Sequence, residues 1–129
     1  MPHTARTLIA VALGGAVGSL LRWLVELLLP AAAGALPWGT FVVNVLGSVV
    51  LGVVVVVRDS GGGSAVHRGF LATGLLGGFT TFSTYAVQVT LLGQVTPALA
   101  LVYLVLTPLA CVGAAWLGAA WTPRVWRRP

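Results

Sequence analysis

Gly74-Leu75-Leu76-Gly77-Gly78-Phe79-Thr80-Thr81-Phe82-Ser83-Thr84-Tyr85 lies inside an apolar segment that runs from about residue 69 to 92. A plain membrane span would carry Leu, Val and Ile at these places. This stretch instead carries three glycines, four Ser/Thr hydroxyls and three aromatic rings. Gly77-Gly78 weakens a helix, because glycine gains backbone freedom on unfolding and exposes its peptide groups. Backbone that leaves the helix at membrane depth is tolerated only where protein or a water-filled cavity surrounds it. The stretch therefore predicts a third helix broken mid-membrane, its freed carbonyls and hydroxyls facing an ion or the path of one.

The rest of the chain reads as housing for that break. Only 7% of the 129 residues are charged and 58% are apolar, with a mean hydropathy of +1.02. A soluble domain needs roughly 25% charged residues, so this is an all-α membrane protein with almost no extramembrane domain. Four transmembrane helices are expected, over about residues 7–29, 38–57, 69–92 and 97–120, in one unit without repeats. Span one also has the outline of a signal peptide: Arg6, an apolar run, then Ala31-Ala32-Ala33. The run is long for that role and contains Arg22 and Glu26, which favours a retained span.

Seven basic residues against two acids give a net charge of +5. All the arginines but Arg22 flank apolar spans, the ordinary positive-inside pattern. No basic face with interleaved aromatics suggests a nucleic-acid partner; membrane lipid is the expected surround. Cys111 is the single cysteine, and His3 and His67 lack partners at metal-ligand spacing. Asp59 in a loop and Glu26 near a helix end assemble no carboxylate pair or triad. An enzyme is not expected.

Three stripes stand out at four-residue spacing. On span one, Ala10, Gly14, Gly18, Arg22 and Glu26 share a face, whose small residues suit close helix packing. Arg22 and Glu26 can pair at i, i+4. Arg22 reads equally as an interfacial anchor or as a vestibule charge that attracts anions. On span two, Thr40, Asn44, Ser48 and Gly52 align. An amide in hydrocarbon needs a partner, so Asn44 either glues helices together or lines a pore, and its Thr/Ser neighbours favour the pore. On span four, Tyr103, Thr107 and Cys111 align. Trp38, Trp116, Trp121 and Trp126 read as interface anchors. Residues 58–68 form the longest loop, with no assigned function.

Four helices in so short a chain are too few to enclose a pathway comfortably, so oligomerisation is expected, with the small-residue faces as packing surfaces. Asn N–H and Ser/Thr O–H donors suit a small anion, and aromatic ring edges carry partial positive charge.

The run Gly77-Gly78-Phe79-Thr80-Thr81-Phe82-Ser83-Thr84-Tyr85, with Gly14/Gly15/Gly18…Arg22 and Trp38-Gly39-Thr40…Asn44…Gly47, closely resembles the bacterial fluoride channels of the Fluc/CrcB family, over nearly the whole chain. The resemblance implies a passive channel that expels fluoride from the cytoplasm across the cell membrane, built as an antiparallel dimer with two pores. It also implies a structural Na+ at the dimer centre, held by main-chain oxygens of Gly77 and Thr80. The implied fluoride pathway comprises Asn44, the pore aromatics Phe82 and Tyr85, the hydroxyls of Ser83 and Thr84, the span-four residues Tyr103 and Thr107, and the vestibule Arg22. Two details depart from the family pattern. Tyr85 stands where the second pore aromatic is usually Phe, and its hydroxyl either bonds fluoride or obstructs the pore. Cys111, a weaker donor, stands where a hydroxyl residue would extend the span-four track.

Charge is also asymmetric. Arg6, Arg58, Arg68, Arg124, Arg127 and Arg128 fall on one side of the membrane, while the links at 30–37 and 93–96 hold no Lys or Arg. By the positive-inside rule both termini are cytoplasmic, so an antiparallel dimer calls for a paired homologous subunit of opposite orientation rather than a second copy. Two other readings compete. A small dimeric drug/cation exporter needs an acid in the middle of span one, and Glu26 is near the end. A non-transporting membrane scaffold predicts no ion flux at all.

Overall fold

The computed structural model describes residues 3–59 and 64–122. The chain folds as α1 (His3–Leu28), α2 (Trp38–Asp59), α3 (Ala65–Arg68), a π-helical segment π1 (Gly69–Leu76), α4 (Gly77–Phe79), α5 (Phe82–Val95) and α6 (Pro97–Trp121). Among the described residues four helical stretches are long and apolar enough to cross a membrane: Thr4–Leu28, Trp38–Val57, Ala65–Val95 and Pro97–Trp121. Long apolar side chains stand exposed along all of them, as expected where lipid or another chain is the solvent.

The four expected spans are present, with changed limits on the third. It begins at Ala65, inside the expected loop, because Ser64 caps α3 by accepting from the His67 amide. It ends at Val95, where Thr96 alone separates it from α6 and Pro97 occupies the first helical turn of the next element. The Thr96 hydroxyl donates to Gly34 O at 3.2 Å, joining this tight corner to the α1–α2 link. Gly34 takes φ +74° there, a turn that a side chain would strain. Arg124, Trp126, Arg127 and Arg128, and the side chains of Arg58 and Asp59, lie outside the described residues.

Two helix pairs form the body: α1 against π1 and α4, and α2 against α6. Both are seated on glycine. A Cβ on Gly14 or Gly18 would run into the carbonyls of Phe70 or Leu75, and one on Gly52 or Gly118 into those of Ala115 or Val49. The small-residue faces are thus consumed within one chain. They are not the free oligomerisation surfaces expected from their spacing, since sequence spacing cannot say which chain supplies the opposing helix. The expected Arg22–Glu26 pair is also missing: Glu26 accepts from Thr40 Oγ1 at 3.4 Å, while Arg22, half-buried, has no polar partner among the described residues.

The helical path is interrupted, but not at the glycines. Gly77 and Gly78 remain helical in α4; the extended residues are Thr80 (φ −77°, ψ 153°) and Thr81 (φ −144°, ψ 122°). Gly78 serves a different end, because a Cβ there would strike the Gly15 carbonyl. The helix ends where the Thr81 amide turns to the Asn44 side chain and the Thr84 amide to the Thr81 hydroxyl, not at the glycines. Thr80 aims both its amide and its Oγ1 at Leu76 O, each at 2.9 Å. Thr81 Oγ1 then accepts from the Thr84 amide at 3.1 Å as the N-cap of α5.

Candidate functional site

Between α2, the interruption and α6 lies a cavity of about 440 Å³. Asn44, Gly47 and Ser48 line it from α2; Gly77, Thr80, Thr81, Phe82 and Tyr85 from the interrupted span; Thr107, Pro108 and Cys111 from α6. Among the described residues no charged side chain lines it.

Asn44 organises the site. Its Nδ2 donates to Thr81 O at 2.9 Å and its Oδ1 accepts from Thr81 N at 2.8 Å. The side-chain amide thus pairs with an extended peptide as a neighbouring strand would, satisfying both backbone groups exposed by leaving the helix. The gluing role of Asn44 is therefore real, and it coexists with a place on the cavity wall, where the second Nδ2 hydrogen is unspent. Ser48 Oγ donates to Asn44 O at 2.7 Å, turning its donor away from the cavity.

That clamp has a second effect. In a continuous helix the amide of Thr81 would close on Gly77 O, and the amide of Thr84 on Thr80 O. Thr81 N goes to Asn44 and Thr84 N to the Thr81 hydroxyl instead. The carbonyls of Gly77 and Thr80 are released from their helical donors by these diversions. Hard main-chain oxygens at an unwound segment are what a Na+ site requires. Among the described residues there is no cluster of His, Cys, Asp or Glu that would compete as a metal site.

The aromatic residues form a graded series. Phe82 is 80% exposed at the mouth of the cavity, Tyr85 is buried behind it with ring centroids 5.7 Å apart, and Tyr103 lies 5.2 Å beyond Tyr85. The Tyr85 hydroxyl donates to Leu104 O at 2.6 Å; that of Tyr103 donates to Gln88 Oε1 at 3.1 Å. Thr107, only 3% exposed, has an Oγ1 without a hydrogen-bond partner. A buried, unpaired hydroxyl costs roughly 1–3 kcal/mol unless a ligand or water meets it.

Of the residues expected to carry ion chemistry, Asn44, Phe82, Tyr85 and Thr107 meet at the cavity, with Gly77 and Thr80 on its wall. Tyr103 packs on Tyr85 without lining the cavity, Ser83 and Thr84 meet the Thr81 hydroxyl and do not line it, and Arg22 on α1 does not line it either. Sequence reasoning gave no role to Thr81 or Pro108. The signals were present: a threonine three residues before another amide to be capped, and a proline inside an apolar span.

Fold and site together define a small multi-pass integral membrane protein with a mainly apolar cavity, set with one amide and a few hydroxyls, beside an interrupted helix. The chain belongs to the CrcB-like protein, Camphor Resistance (CrcB), family, whose model matches residues 9–119. It is 45% identical over 124 residues to "Fluoride-specific ion channel FluC 1" of Streptomyces coelicolor, covering 92% of this chain and 79% of that one. It is 44% identical over 113 residues to "Fluoride-specific ion channel FluC 2" of Nocardia farcinica (86% and 81% covered). With "Fluoride-specific ion channel FluC" of Erythrobacter litoralis it shares 40% identity over 114 residues (81% and 82% covered). These relatives are named as channels, not enzymes.

Proposed function

We propose that the chain is one subunit of a fluoride-specific ion channel that lets fluoride leave the cytoplasm passively. The observation that carries this reading is the cavity itself: an amide, a partnerless buried hydroxyl and two aromatic rings, with no charged side chain among the described residues. Neutral donors can replace the water shell of a small anion without trapping it, and ring edges add favourable potential. The names of the relatives agree. A proton-coupled exporter would need an ionisable group in the path; Glu26 lies near the end of α1 and is engaged by Thr40.

In this reading the interruption at Thr80–Thr81 lies mid-membrane, and two subunits associate antiparallel. Phe82, exposed on the single chain, becomes part of a wall that the other subunit completes. A structural Na+ at the dimer centre takes main-chain oxygens of Gly77 and Thr80, whose release from the helix supports such a role. The ion would supply positive charge at the centre, and the chain's own contribution is the Asn44 clamp that frees Gly77 O and the Thr81 cap that frees Thr80 O. The arginine bias further supports a paired homologous subunit of opposite orientation.

Fluoride efflux from liposomes holding this chain alone, followed with a fluoride electrode and a chloride control, tests the proposal. Fast, fluoride-selective efflux is expected either from the chain alone or after adding a homologue of opposite charge bias; no efflux in both arms refutes the channel. Cysteines placed in the tails report orientation. Equal labelling from both sides of the membrane would overturn the paired-subunit reading.

A further inference from the structure

Pro108 stands inside α6 and has no amide hydrogen, so the carbonyl four residues earlier, Leu104 O, loses its helical donor. In the hydrocarbon interior an orphaned carbonyl is costly. Leu104 O receives the Tyr85 hydroxyl instead, at 2.6 Å, a short O–H···O bond. Tyr85 and Pro108 both line the cavity, and the chain's other tyrosine, Tyr103, sends its hydroxyl to Gln88.

The geometry points to Pro108 as the positioning residue for Tyr85: by stripping Leu104 O of its donor, the proline fixes the tyrosine hydroxyl, and with it the angle of the ring against the cavity. The proposal rests on the reading of the cavity as the ion's path. It resolves what the hydroxyl of Tyr85 does. The single O–H proton is spent on Leu104, so Tyr85 meets an anion with its ring and not with its hydroxyl. The hydroxyl does not obstruct the path either, because it points into α6. Tyrosine at this place is thereby matched to proline at 108, and the two form one device spread over two helices.

A double-mutant cycle tests the match, using full-length protein in detergent and in liposomes. Tyr85→Phe in the Pro108 background leaves Leu104 O without a donor. It is expected to lower the apparent Tm by about 4 °C and to slow fluoride efflux several-fold as the ring loses its anchor. Pro108→Ala restores the amide that closes on Leu104 O. In that background Leu104 O keeps its amide donor, so Tyr85→Phe is expected to leave Tm unchanged and the loss of stability is rescued. Equal losses in both backgrounds would overturn the pairing and return the hydroxyl to a direct role. Coupling in Tm with no fluoride efflux from wild type or any variant, alone and with a homologue of opposite charge bias added, would sustain the pairing while refuting the channel reading. If the Pro108→Ala chain does not assemble, the carbonyl 13C resonance of Leu104 decides between wild type and Tyr85→Phe. An upfield move in the variant supports the bond, and an unchanged resonance overturns it.

Discussion

Asn44→Asp is the most discriminating single substitution, because it preserves shape while replacing the amide donor with a negatively charged oxygen. The variant keeps an oxygen to accept from Thr81 N, now 2.8 Å from Oδ1, but it sets a second oxygen against Thr81 O, where Nδ2 now lies at 2.9 Å. Leaving that buried carbonyl without its donor costs about 1–3 kcal/mol. The larger effect falls on the ion. A carboxylate on the cavity wall repels a passing anion by ~4 kcal/mol at 4 Å and an effective dielectric constant of 20. As a barrier, that slows passage by nearly three orders of magnitude, at 1.36 kcal/mol per tenfold. The assay is fluoride efflux at neutral pH from liposomes, with elution volume and helical content checked on the same preparation. The variant is expected to elute as wild type does, with efflux close to that of empty liposomes. Assembled Asn44→Asp protein with wild-type efflux would refute the placement of this side chain beside the ion.

Three further outcomes follow from the packing and the caps. Gly118→Ala drives a Cβ into the Val49 carbonyl, where backbone cannot yield, and should cost about 1–3 kcal/mol; Gly113→Ala on the same helix meets nothing within 4 Å in the chain and should gain up to about 1 kcal/mol of helix propensity, so thermal unfolding in detergent should separate the two in opposite directions. Thr81→Val removes the oxygen that caps the Thr84 amide and should destabilise by about 1 kcal/mol, whereas Thr81→Ser should unfold with the wild type. Exchanging Na+ for a large organic cation should lower the unfolding temperature if the released carbonyls hold the ion, and a midpoint indifferent to Na+ would count against that site.

Hydropathy made the four spans legible, because span length and composition alone decide what can cross a bilayer. The importance of the 74–85 stretch was legible for the same reason: polar groups in hydrocarbon must be accounted for. The place of its break was not. Glycine propensity pointed to Gly77-Gly78, whereas the helix ends at Thr81, through its bonds to Asn44 and Thr84. One of those bonds comes from another helix, and local propensity is silent about that. The polarity of the Asn44 stripe was legible, yet the partner of Asn44, 37 residues away, had no signature in spacing. The glycine face of α1 was visible, but whether a helix of the same chain or of another would meet it was not. The link between Pro108 and Tyr85 was hidden for a related reason: a proline advertises a missing donor but does not say which side chain will supply one.

The Asn44 clamp also restricts how the molecule can move. Two bonds of 2.8 and 2.9 Å index α2 against the interrupted span like a key in its slot. Sliding α2 by a single residue would shift it 1.5 Å and turn Asn44 by about 100°, losing both bonds at once. A carrier that rocks one helix pair against another between inward- and outward-facing states has to let such contacts go in every cycle. Here the register is locked at the very wall of the cavity. For the proposed channel this means a path whose wall is held in register by the same amide that faces the cavity.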